Sequence, residues 1–512
     1  MSSASSKSAP SKQTEPTTEQ HTKPTTGQHI EFTANSTPAK RKLDKSWWVL
    51  LVAVIVAVFT ATIINLASSN TDPGDVSGYL DIDNGDQKVN WSRYTTTDIE
   101  LTSSVTLSES GVYHITGTLA DGLITIDAGD RGEVKLILDN VSITNSSGPA
   151  ILCASGDDLV IELVGDSTLA DSSTYSADLD QDITSTIYSK SDLTFEGNGT
   201  LHIAATYQDA IVSKDDLKFT NGTYSITAAD DGIRGKDSVY IVGGTFNITA
   251  QQDAIKSTNS TDAGKGFVLI EGGDIAISAG DDAVHAETLL TIQDGSLDIT
   301  TSYEGLEAPK IVINGGNISV IALDDGINAG GNSDATTTRD PMATDTSCEL
   351  SINGGTVYVN AGGDGIDSNG YVYFTGGSTI VDGPTNNGNG SLDSGAGIVM
   401  TGGEVVAVGS SGMAETLGTS SSIYSISIYF STTQAAGTQL SITDSAGNTI
   451  VSHTSAKTFS HAAIGTKKFS LGDTYTIYIN GTKYQSFVIQ DTVTTVGNSN
   501  SNTRMIPGPQ PR

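Results

Sequence analysis

Acidic residues return at a regular interval through the middle of this 512-residue chain. Each is followed by alanine or glycine and then by an aliphatic residue. Most intervals are 21 or 22 residues, and two are 29 and 39 residues. The set, called here the carboxylate column, is Asp209, Asp231, Asp253, Asp282, Glu304, Asp325 and Asp364. A repeat near this length is typical of a solenoid, in which equivalent residues of successive coils stack.

Stacked carboxylates repel one another. Strands of neighbouring coils lie about 4.8 Å apart, and two unit charges at that distance cost roughly 3.5 kcal/mol at an effective dielectric constant near 20. Raised pKa values, side chains turned apart into water, or bound cations would offset the repulsion. Calcium takes oxygen ligands at about 2.3–2.6 Å, so two carboxylates across one ion match the coil spacing, whereas magnesium prefers shorter bonds. The column therefore predicts bound Ca²⁺.

Two neighbouring positions add further oxygen donors. The position before the column holds Asp230, Asp281 and Asp324. A second column, three positions after the first, contains Val212, Arg234, Lys256, His285, Glu307, Asn328 and Asp367, and Asp393 continues it. The predicted metal ligands are Asp230, Asp231, Asp253, Asp281, Asp282, Glu304, Glu307, Asp324, Asp325, Asn328, Asp364, Asp367 and Asp393.

Two features of the sequence bear on the metal prediction. In the N-terminal half, Arg234 and Lys256 can neutralise Asp231 and Asp253 directly. Turn chemistry is the alternative to metal binding, because an aspartate before glycine often bonds its own backbone. Alanine follows Asp209, Asp253 and Asp282, however, so the turn does not require the Asp-Gly pair.

Short strands and glycine corners must position these residues. Residues 238–242 alternate in polarity, Gly243-Gly244 forms a corner, residues 245–250 alternate again, and residues 252–257 begin a third strand. Three strands and three corners in a repeat of about 22 residues predict one coil of an all-β parallel β-helix. Residues 92–120 are interpreted as strands that cap the first coil.

These motifs together resemble a known family. They are Asp-Asp-Gly-Ile at 230–233, Gly-Gly-Thr-Phe-Asn-Ile-Thr-Ala at 243–250, Gln-Asp-Ala-Ile-Lys at 252–256 and Gly-Asp-Asp-Ala-Val-His at 280–285. Across about residues 90–415 the chain resembles the bacterial cell-surface carbohydrate-binding domain-containing proteins. The resemblance implies a right-handed, pectate-lyase-like parallel β-helix that binds calcium through acidic side chains. It also implies binding of polygalacturonate or cellulose without known catalysis.

We therefore expect a carbohydrate-binding protein, not an enzyme, that holds an acidic polysaccharide through calcium bridged by the column. Tyr207, Tyr303 and Lys256 are the candidate carbohydrate-binding residues. The first alternative is a polysaccharide lyase, in which Lys256 or Arg234 takes the α-proton of a uronate beside calcium. The second alternative is a structural adhesin or stalk that binds no glycan.

Charge and hydrophobicity indicate the location. The net charge is −33, although residues 1–46 carry about +3, so the remainder is strongly acidic and unsuited to nucleic acid. Residues 47–66 contain no charge and follow a basic stretch, which predicts a single-pass transmembrane signal-anchor with a cytoplasmic N-terminus and an extracellular C-terminal part. A cleaved signal peptide is the rival interpretation.

The predicted organisation has six parts. Residues 1–46 form a disordered cytoplasmic tail, 47–66 the anchor, 67–90 a linker, 91–415 the β-helix, 416–490 a small β domain or cap, and 491–512 a disordered tail. We expect a monomer. Cys153 and Cys348 are expected to be buried and unpaired.

Overall fold

The fold is all-β. The computed structural model describes residues 89–330 and 344–498, and within those ranges the only helical segment is a 3-10 turn at Trp91–Arg93. No helix in these ranges is long and apolar enough to cross a membrane. The predicted anchor at 47–66 and the predicted tail at 1–46 lie outside the described residues.

The chain winds repeatedly through three sheets, numbered in the order in which one coil meets them. The strands are numbered in chain order. Sheet 1 consists of β2 (Val105–Leu107), β4 (Ile124–Asp127), β7 (Ile151–Ser155), β10 (Ser185–Ser189), β13 (Asp209–Ser213), β16 (Ile233–Gly235), β19 (Ile255–Ser257), β22 (Val284–Ala286), β25 (Leu306–Glu307), β28 (Ile327–Ala329) and β31 (Ile366–Ser368).

The other two sheets are joined by β3, which bends from one into the other. Sheet 2 consists of β1 (Thr96–Leu101), β3 (Gly111–Leu119), β5 (Glu133–Asp139), β8 (Asp158–Val164), β11 (Asp192–Gly197), β14 (Asp216–Phe219), β17 (Ser238–Ile241), β20 (Phe267–Ile270), β23 (Leu289–Ile292), β26 (Lys310–Ile313), β29 (Glu349–Ile352), β32 (Tyr371–Phe374) and β34 (Gly397–Met400). Sheet 3 contains β6 (Ser142–Thr144), β9 (Asp166–Ala170), β12 (Thr200–Ala205), β15 (Thr223–Ala228), β18 (Thr245–Ala250), β21 (Asp274–Ser278), β24 (Ser296–Thr301), β27 (Asn317–Ala322), β30 (Thr356–Ala361), β33 (Ser378–Asp382) and β35 (Glu404–Gly409).

Successive coils stack in parallel register. In sheet 1, Ile233 pairs with Ile255, and Ile255 pairs with Val284. Sheets 2 and 3 repeat the pattern, since β14 pairs with β17 and β15 pairs with β18, both parallel. The arrangement is consistent with a parallel β-helix, and the predicted all-β fold with a parallel repeat is confirmed. β1 pairs with β3 in the same way, so the strands of residues 92–120 are part of the stacked coils, at their N-terminal end.

Alternation decides which side chains enter the core. In β18 the odd-numbered residues are exposed, whereas Phe246 and Ile248 are buried. Because equivalent residues lie one strand spacing apart, like side chains stack on one another. Phe195 and Phe219, on neighbouring coils, have ring centroids 4.9 Å apart and planes inclined by 4°. The core is therefore a continuous stack of aliphatic and aromatic side chains.

The corner between sheets 2 and 3 depends on glycine. Gly295 has a φ of +101°, and a Cβ atom there would lie 2.8 Å from the carbonyl oxygen of Gly273 on the preceding coil. An L side chain would be strained at this φ and would also press on the neighbouring backbone. Glycine therefore sets the close spacing of coils at this corner.

The last coil is extended by C-terminal strands. Sheet 3 continues through β36 (Ser425–Gln434), β39 (Phe459–Thr466) and β42 (Val493–Val496), and β39 pairs antiparallel with β35. A fourth, antiparallel sheet contains β37 (Gln439–Thr443), β38 (Thr449–Thr454), β40 (Thr474–Ile479) and β41 (Thr482–Val488). Since β42 pairs with β36, the prediction of a disordered tail from residue 491 was wrong for this strand.

A buried carboxylate joins the coils to the C-terminal strands. Asp382, at the end of β33, is 1% exposed. Its Oδ1 lies 2.7 Å from Nε2 of His453, and its Oδ2 accepts hydrogen bonds from the Ala456 N–H and the Tyr358 hydroxyl, each at 3.0 Å. Burial opposes ionisation, but the hydrogen bonds from His453 and Ala456 hold the pKa of Asp382 below its ordinary value. The ionised carboxylate is thus part of this junction.

The two cysteines behave as predicted. Cys153 and Cys348 are both buried, and neither forms a disulfide bond. Burial raises the pKa of the Cys153 thiol, so this side chain is a small apolar part of the core.

Candidate metal centre along the carboxylate column

The carboxylate column lies at the corner where the chain enters sheet 1. The aliphatic residues that follow it stack in register, as Val284 with Leu306 and Leu306 with Ile327 show. The same register aligns the second column, in which Lys256 pairs with His285. Each coil therefore brings one residue of each column to the same edge.

One oxygen of most column aspartates bonds the backbone of the next coil. The N–H of Asp231 donates to Oδ1 of Asp209 at 3.2 Å, and the N–H of Asp253 donates to Oδ1 of Asp231 at 3.2 Å. The pattern returns further along, where the N–H of Asp364 donates to Oδ1 of Asp325 at 2.5 Å. The alternative of turn chemistry predicts a hydrogen bond between each aspartate side chain and its own backbone. The structure instead shows a ladder between coils, which leaves the second oxygen for other partners.

In the N-terminal section of the column, the second oxygen faces a basic residue. Nη2 of Arg234 lies 2.5 Å from Oδ2 of Asp209, and Nζ of Lys256 lies 2.6 Å from Oδ2 of Asp253. The expected neutralisation by Arg234 is therefore directed mainly at Asp209, since its distance to Asp231 is 3.9 Å. Direct ion pairs offset much of the repulsion in this section.

His285 marks the end of that section. Its Nδ1 lies 3.1 Å from Oδ2 of Asp282 and 2.6 Å from Oε2 of Glu307. Burial opposes the charged imidazole, but the hydrogen bonds with Asp282, Glu287 and Glu307 raise the pKa of His285 to about 12. The imidazolium therefore acts as a third cation of the N-terminal section.

The C-terminal section has no basic residue in either column. It contains Glu304, Asp324, Asp325, Asn328, Asp364, Asp367 and Asp393. Burial, reinforced by neighbouring carboxylates, raises the pKa of Asp364 to about 7 and that of Asp367 to about 8. The pKa of Glu304 is raised to about 7 and that of Asp325 to about 6, also mainly by burial. Without a cation, Glu304, Asp364 and Asp367 therefore resist full ionisation near neutral pH.

Two details of the C-terminal section fit an oxygen-preferring cation. Oδ1 of Asn328 is buried and has no hydrogen-bond partner, although Nδ2 of the same amide donates to Oε2 of Glu304 at 3.0 Å. At Gly363, a Cβ atom would lie 2.3 Å from Oδ1 of both Asp324 and Asp325. Oδ1 of Asp324 and Oδ1 of Asp325 therefore lie close together beside Gly363, and carboxylate and amide oxygens are the ligands that calcium takes.

The structure also groups several predicted ligands of the N-terminal section with Asp209 and His285, which were not predicted as ligands. Ligand atoms lie within 4.8 Å of one another in three sets there: Asp209, Asp230 and Asp231; Asp253, Asp281 and Asp282; and Asp282, His285 and Glu307. At the far end, Leu392 bridges to Ile366, which places Asp393 beside the last full coil. Asp393 contributes to the raised pKa of Asp364 and Asp367.

The predicted carbohydrate-binding residues have different surroundings. Tyr207 stacks on Tyr175, with ring centroids 4.0 Å apart and planes inclined by 15°. Tyr303 is 46% exposed beside the C-terminal section. Lys256 is held by Asp253. Of the three, Tyr303 presents the most accessible apolar surface.

The sequence predicts an acidic loop inserted into the coils at residues 167–184. In the structure residues 167–170 belong to β9, and residues 171–184 have a packing role that the sequence did not reveal. The side chains of Tyr175, Leu179 and Ile183 pack against Tyr188 and Val212 on the outer face of sheet 1. The apolar side chain of Val212, at the start of the otherwise polar second column, was the available signal. The insertion covers the N-terminal end of this face, so the polar part of the second column begins at Arg234.

A second acidic cluster was also missed. Asp192, Asp215 and Asp216 offer ligand atoms within 4.8 Å of one another at the corner between sheets 1 and 2. Lys265 pairs with Asp237 beside this cluster. The recurrence of lysine shortly before aspartate at 190–192, 214–216 and 236–237 was the signal in the sequence.

Comparison with known proteins agrees with the repeat. A family model described as "Carbohydrate-binding domain-containing protein" matches residues 102–339. A protein with the same description from Acetivibrio thermocellus is 37% identical over 248 residues, covering 48% of this chain and 86% of that protein.

Among solved structures, the gadolinium derivative of the polysaccharide lyase-like protein from C. thermocellum is similar, with 31% identity and a TM-score of 0.38. The alignment covers 43% of this chain and 92% of that one. The family match ends before Asp364, so the last carboxylates of both columns lie beyond it.

Proposed function

This chain belongs to the family of carbohydrate-binding domain-containing proteins, and from that membership we propose that it holds an acidic polysaccharide through calcium bound by the carboxylate column. The C-terminal section carries the proposal, because Asp324 and Asp325 lie close together there, Oδ1 of Asn328 is buried without a hydrogen-bond partner, and neither column holds a basic residue. The finer identity of the glycan is proposed as polygalacturonate, with cellulose as the neutral alternative.

Charge explains why a cation is required. The protein has a net charge of −33, and an acidic glycan would be repelled from this surface. Calcium, when bound, would neutralise the converging carboxylates and offer coordination positions to the carboxylate of the glycan. Asp324, Asp325 and Asn328 would hold it, since their oxygens already face the same edge of the solenoid. The ladder hydrogen bonds keep these side chains oriented.

The N-terminal section suits a different role. Arg234, Lys256 and His285 supply positive charge there, so this section needs fewer bound cations. Their ion pairs with column carboxylates stabilise the stack. We propose that this section mainly supports the fold and that the glycan is held at the C-terminal section.

We propose binding without catalysis. In a lyase, Lys256 or Arg234 would have to accept a proton from the substrate. Burial opposes the charge on Lys256, but Asp253 at 2.6 Å raises its pKa. Arg234 is paired with Asp209. An amine held in its protonated form is a poor base, so the geometry favours binding over elimination.

The deciding experiment uses the full-length chain, purified in detergent if its apolar N-terminal segment requires it. We expect polygalacturonate to bind in calcium and to be released by chelator, with no absorbance from unsaturated products. The variant Asp325→Asn keeps an oxygen for the Asp364 N–H but removes a charge, and should weaken binding. Asp298→Asn, an exposed acid on the outer face of β24, is the matched control. Product formation would establish a lyase, and no binding in either condition would leave a structural stalk.

The location is a further proposal. We propose that residues 47–66 anchor the chain with residues 1–46 in the cytoplasm and the sheets outside the cell. The basic residues before the segment support this orientation. Protease added to intact cells should then digest the C-terminal part and leave an N-terminal epitope protected, whereas the reverse pattern would contradict the proposal.

A further inference from the structure

Two large apolar side chains stand in solvent beside the C-terminal section. Leu323 is 72% exposed and Tyr303 is 46% exposed. They lie on successive coils at the corner between sheets 3 and 1, where the N–H of Asp324 donates to the carbonyl oxygen of Tyr303 at 2.9 Å. The Tyr303 hydroxyl also hydrogen-bonds Asp324. The corner thus places an apolar surface directly next to carboxylates.

The next coil places a glycine corner beside this surface. Its corner is Gly362-Gly363, so no side chain projects there. A Cβ atom at Gly362 would lie 2.1 Å from the carbonyl oxygen of Leu323, and one at Gly363 would strike the Asp324 and Asp325 carboxylates. The backbone of this corner therefore packs closely on Leu323, Asp324 and Asp325 and adds no side chain of its own.

A polar wall lies on the far side. Asn386 is exposed and belongs to the loop at 383–390. Its Nδ2 lies 3.5 Å from the carbonyl oxygen of Gly362. The surface made by Tyr303, Leu323, the Gly362-Gly363 backbone and Asn386 is called here the notch.

We propose that the notch is a subsite for one pyranose ring of the acidic polysaccharide, an inference that rests on the proposed function. The apolar C–H face of the ring would cover Tyr303 and Leu323, as sugars do on aromatic and aliphatic surfaces. The ring carboxylate would point to the cation held by Asp324 and Asp325, and Asn386 would reach a hydroxyl group.

The surroundings favour a sugar over a protein partner. The apolar surface consists of two side chains, which is far smaller than the area a stable protein interface buries. Acidic groups also border it closely, and only a ligand that arrives with cations would tolerate them. One sugar ring, apolar on its face and polar at its rim, matches this combination.

The test uses the full-length variants Leu323→Ala and Tyr303→Ala. Each should lower the affinity for polygalacturonate about tenfold in calcium, because each removes apolar surface that the ring would bury. Tyr303→Phe keeps the ring face and should bind within about twofold of the wild type. Leu471→Ala removes an apolar side chain of similar exposure, 57%, from the loop before β40, and should leave affinity unchanged.

A second readout separates this inference from the proposed function. Calcium binding in the absence of glycan, followed by calorimetry, should be the same in Leu323→Ala, Tyr303→Ala and the wild type. If the wild type binds the glycan and the two variants bind it equally well, the proposed sugar subsite is wrong and the proposed function stands. Absence of calcium-dependent glycan binding in the wild type would overturn the proposed function. A change in sedimentation of Leu323→Ala without a change in affinity would identify a self-association surface instead.

Discussion

Asp367 is an acidic side chain whose ionisation destabilises the folded state. It lies half-buried beside Asp364 and Asp393, and burial together with these charges raises its pKa to about 8. In an unfolded chain the same group ionises near a pKa of about 4. Between those two values the unfolded state binds fewer protons than the folded state, so stability falls as pH rises.

The variant Asp367→Asn tests this sign. In chelator, the wild type should lose melting temperature between about pH 4 and pH 8, and Asp367→Asn should lose less because one titrating group is gone. At pH 8 the variant should therefore melt above the wild type, and at pH 4 the two should coincide. Calcium should reverse the order at pH 8. Equal pH profiles in chelator would show that Asp367 is not under this repulsion.

For single residues, the sequence predicted the positions of the column carboxylates better than it predicted their hydrogen-bond partners. The spacing of Asp253 and Asp325 was enough to place them in one column, because a solenoid repeats its geometry. The ladder from each Oδ1 to the next N–H depends on how tightly the corner folds, which residue types do not reveal. The orphaned oxygen of Asn328 depends on contacts with Glu304 and was equally invisible. Whether the predicted residues bind calcium stays a prediction.

Among the elements, the junction at Asp382 has no counterpart in the repeat. It connects β33 to His453 in β38 and to Ala456 through hydrogen bonds. The sequence predicted separate C-terminal strands but missed that β39 pairs with β35. Such pairing joins residues far apart in the chain and leaves no periodic signal. The insertion at 171–184 was underestimated for the same reason.

Asp382→Asn should loosen the C-terminal strands. The substitution removes the charge that His453 and Ala456 bond, at a cost of about 2 kcal/mol in the free energy of unfolding. Hydrogen exchange should become faster in β37 to β41 and stay slow in β15 and β18. Glu404→Gln, which breaks a more exposed pair with Lys468 in the same region, should have a much smaller effect. Equal exchange in both variants would contradict a special role for Asp382.

Because the folded pKa of Asp382 is lowered, its contribution is present above the unfolded value and is lost as pH falls through the folded value. Part of the stability that the wild type loses at acidic pH should therefore come from protonation of Asp382. Asp382→Asn should lose less stability than the wild type over the same acidic range, and differential scanning calorimetry below pH 4 would measure the difference.

The chain as a whole is strongly acidic. Its net charge of −33 includes buried carboxylates at one edge. Calcium should raise the melting temperature at micromolar to millimolar concentrations, because a ligand that binds the folded state stabilises it. Magnesium should do so less, since it keeps its waters and prefers shorter bonds.

Monovalent salt separates binding from screening. High potassium chloride should recover part of the stability lost in chelator, because screening weakens repulsion between the exposed carboxylates. It should recover less than calcium does, since the buried groups are screened poorly. Thermal melting measures this difference. If potassium chloride and calcium restored the same melting temperature, the column would act through general charge screening alone.

The all-β parallel repeat was predictable at this scale, because a 22-residue period survives in the sequence wherever coils share one core. The hand of the coil, implied only by the family resemblance, stays a prediction. The anchor and the disordered N-terminus also stay predictions, since they lie outside the described residues.

The stacking of coils also makes the protein a molecular ruler. Successive carboxylates are held at a pitch of about 4.8 Å by main-chain hydrogen bonds, and that pitch cannot adapt to a ligand. A polymer with a different repeat keeps step with the column for only a few units before it drifts out of phase. A longer column would then add carboxylates without adding affinity. Selectivity would come from the mismatch between the repeat of the polymer and the pitch of the column.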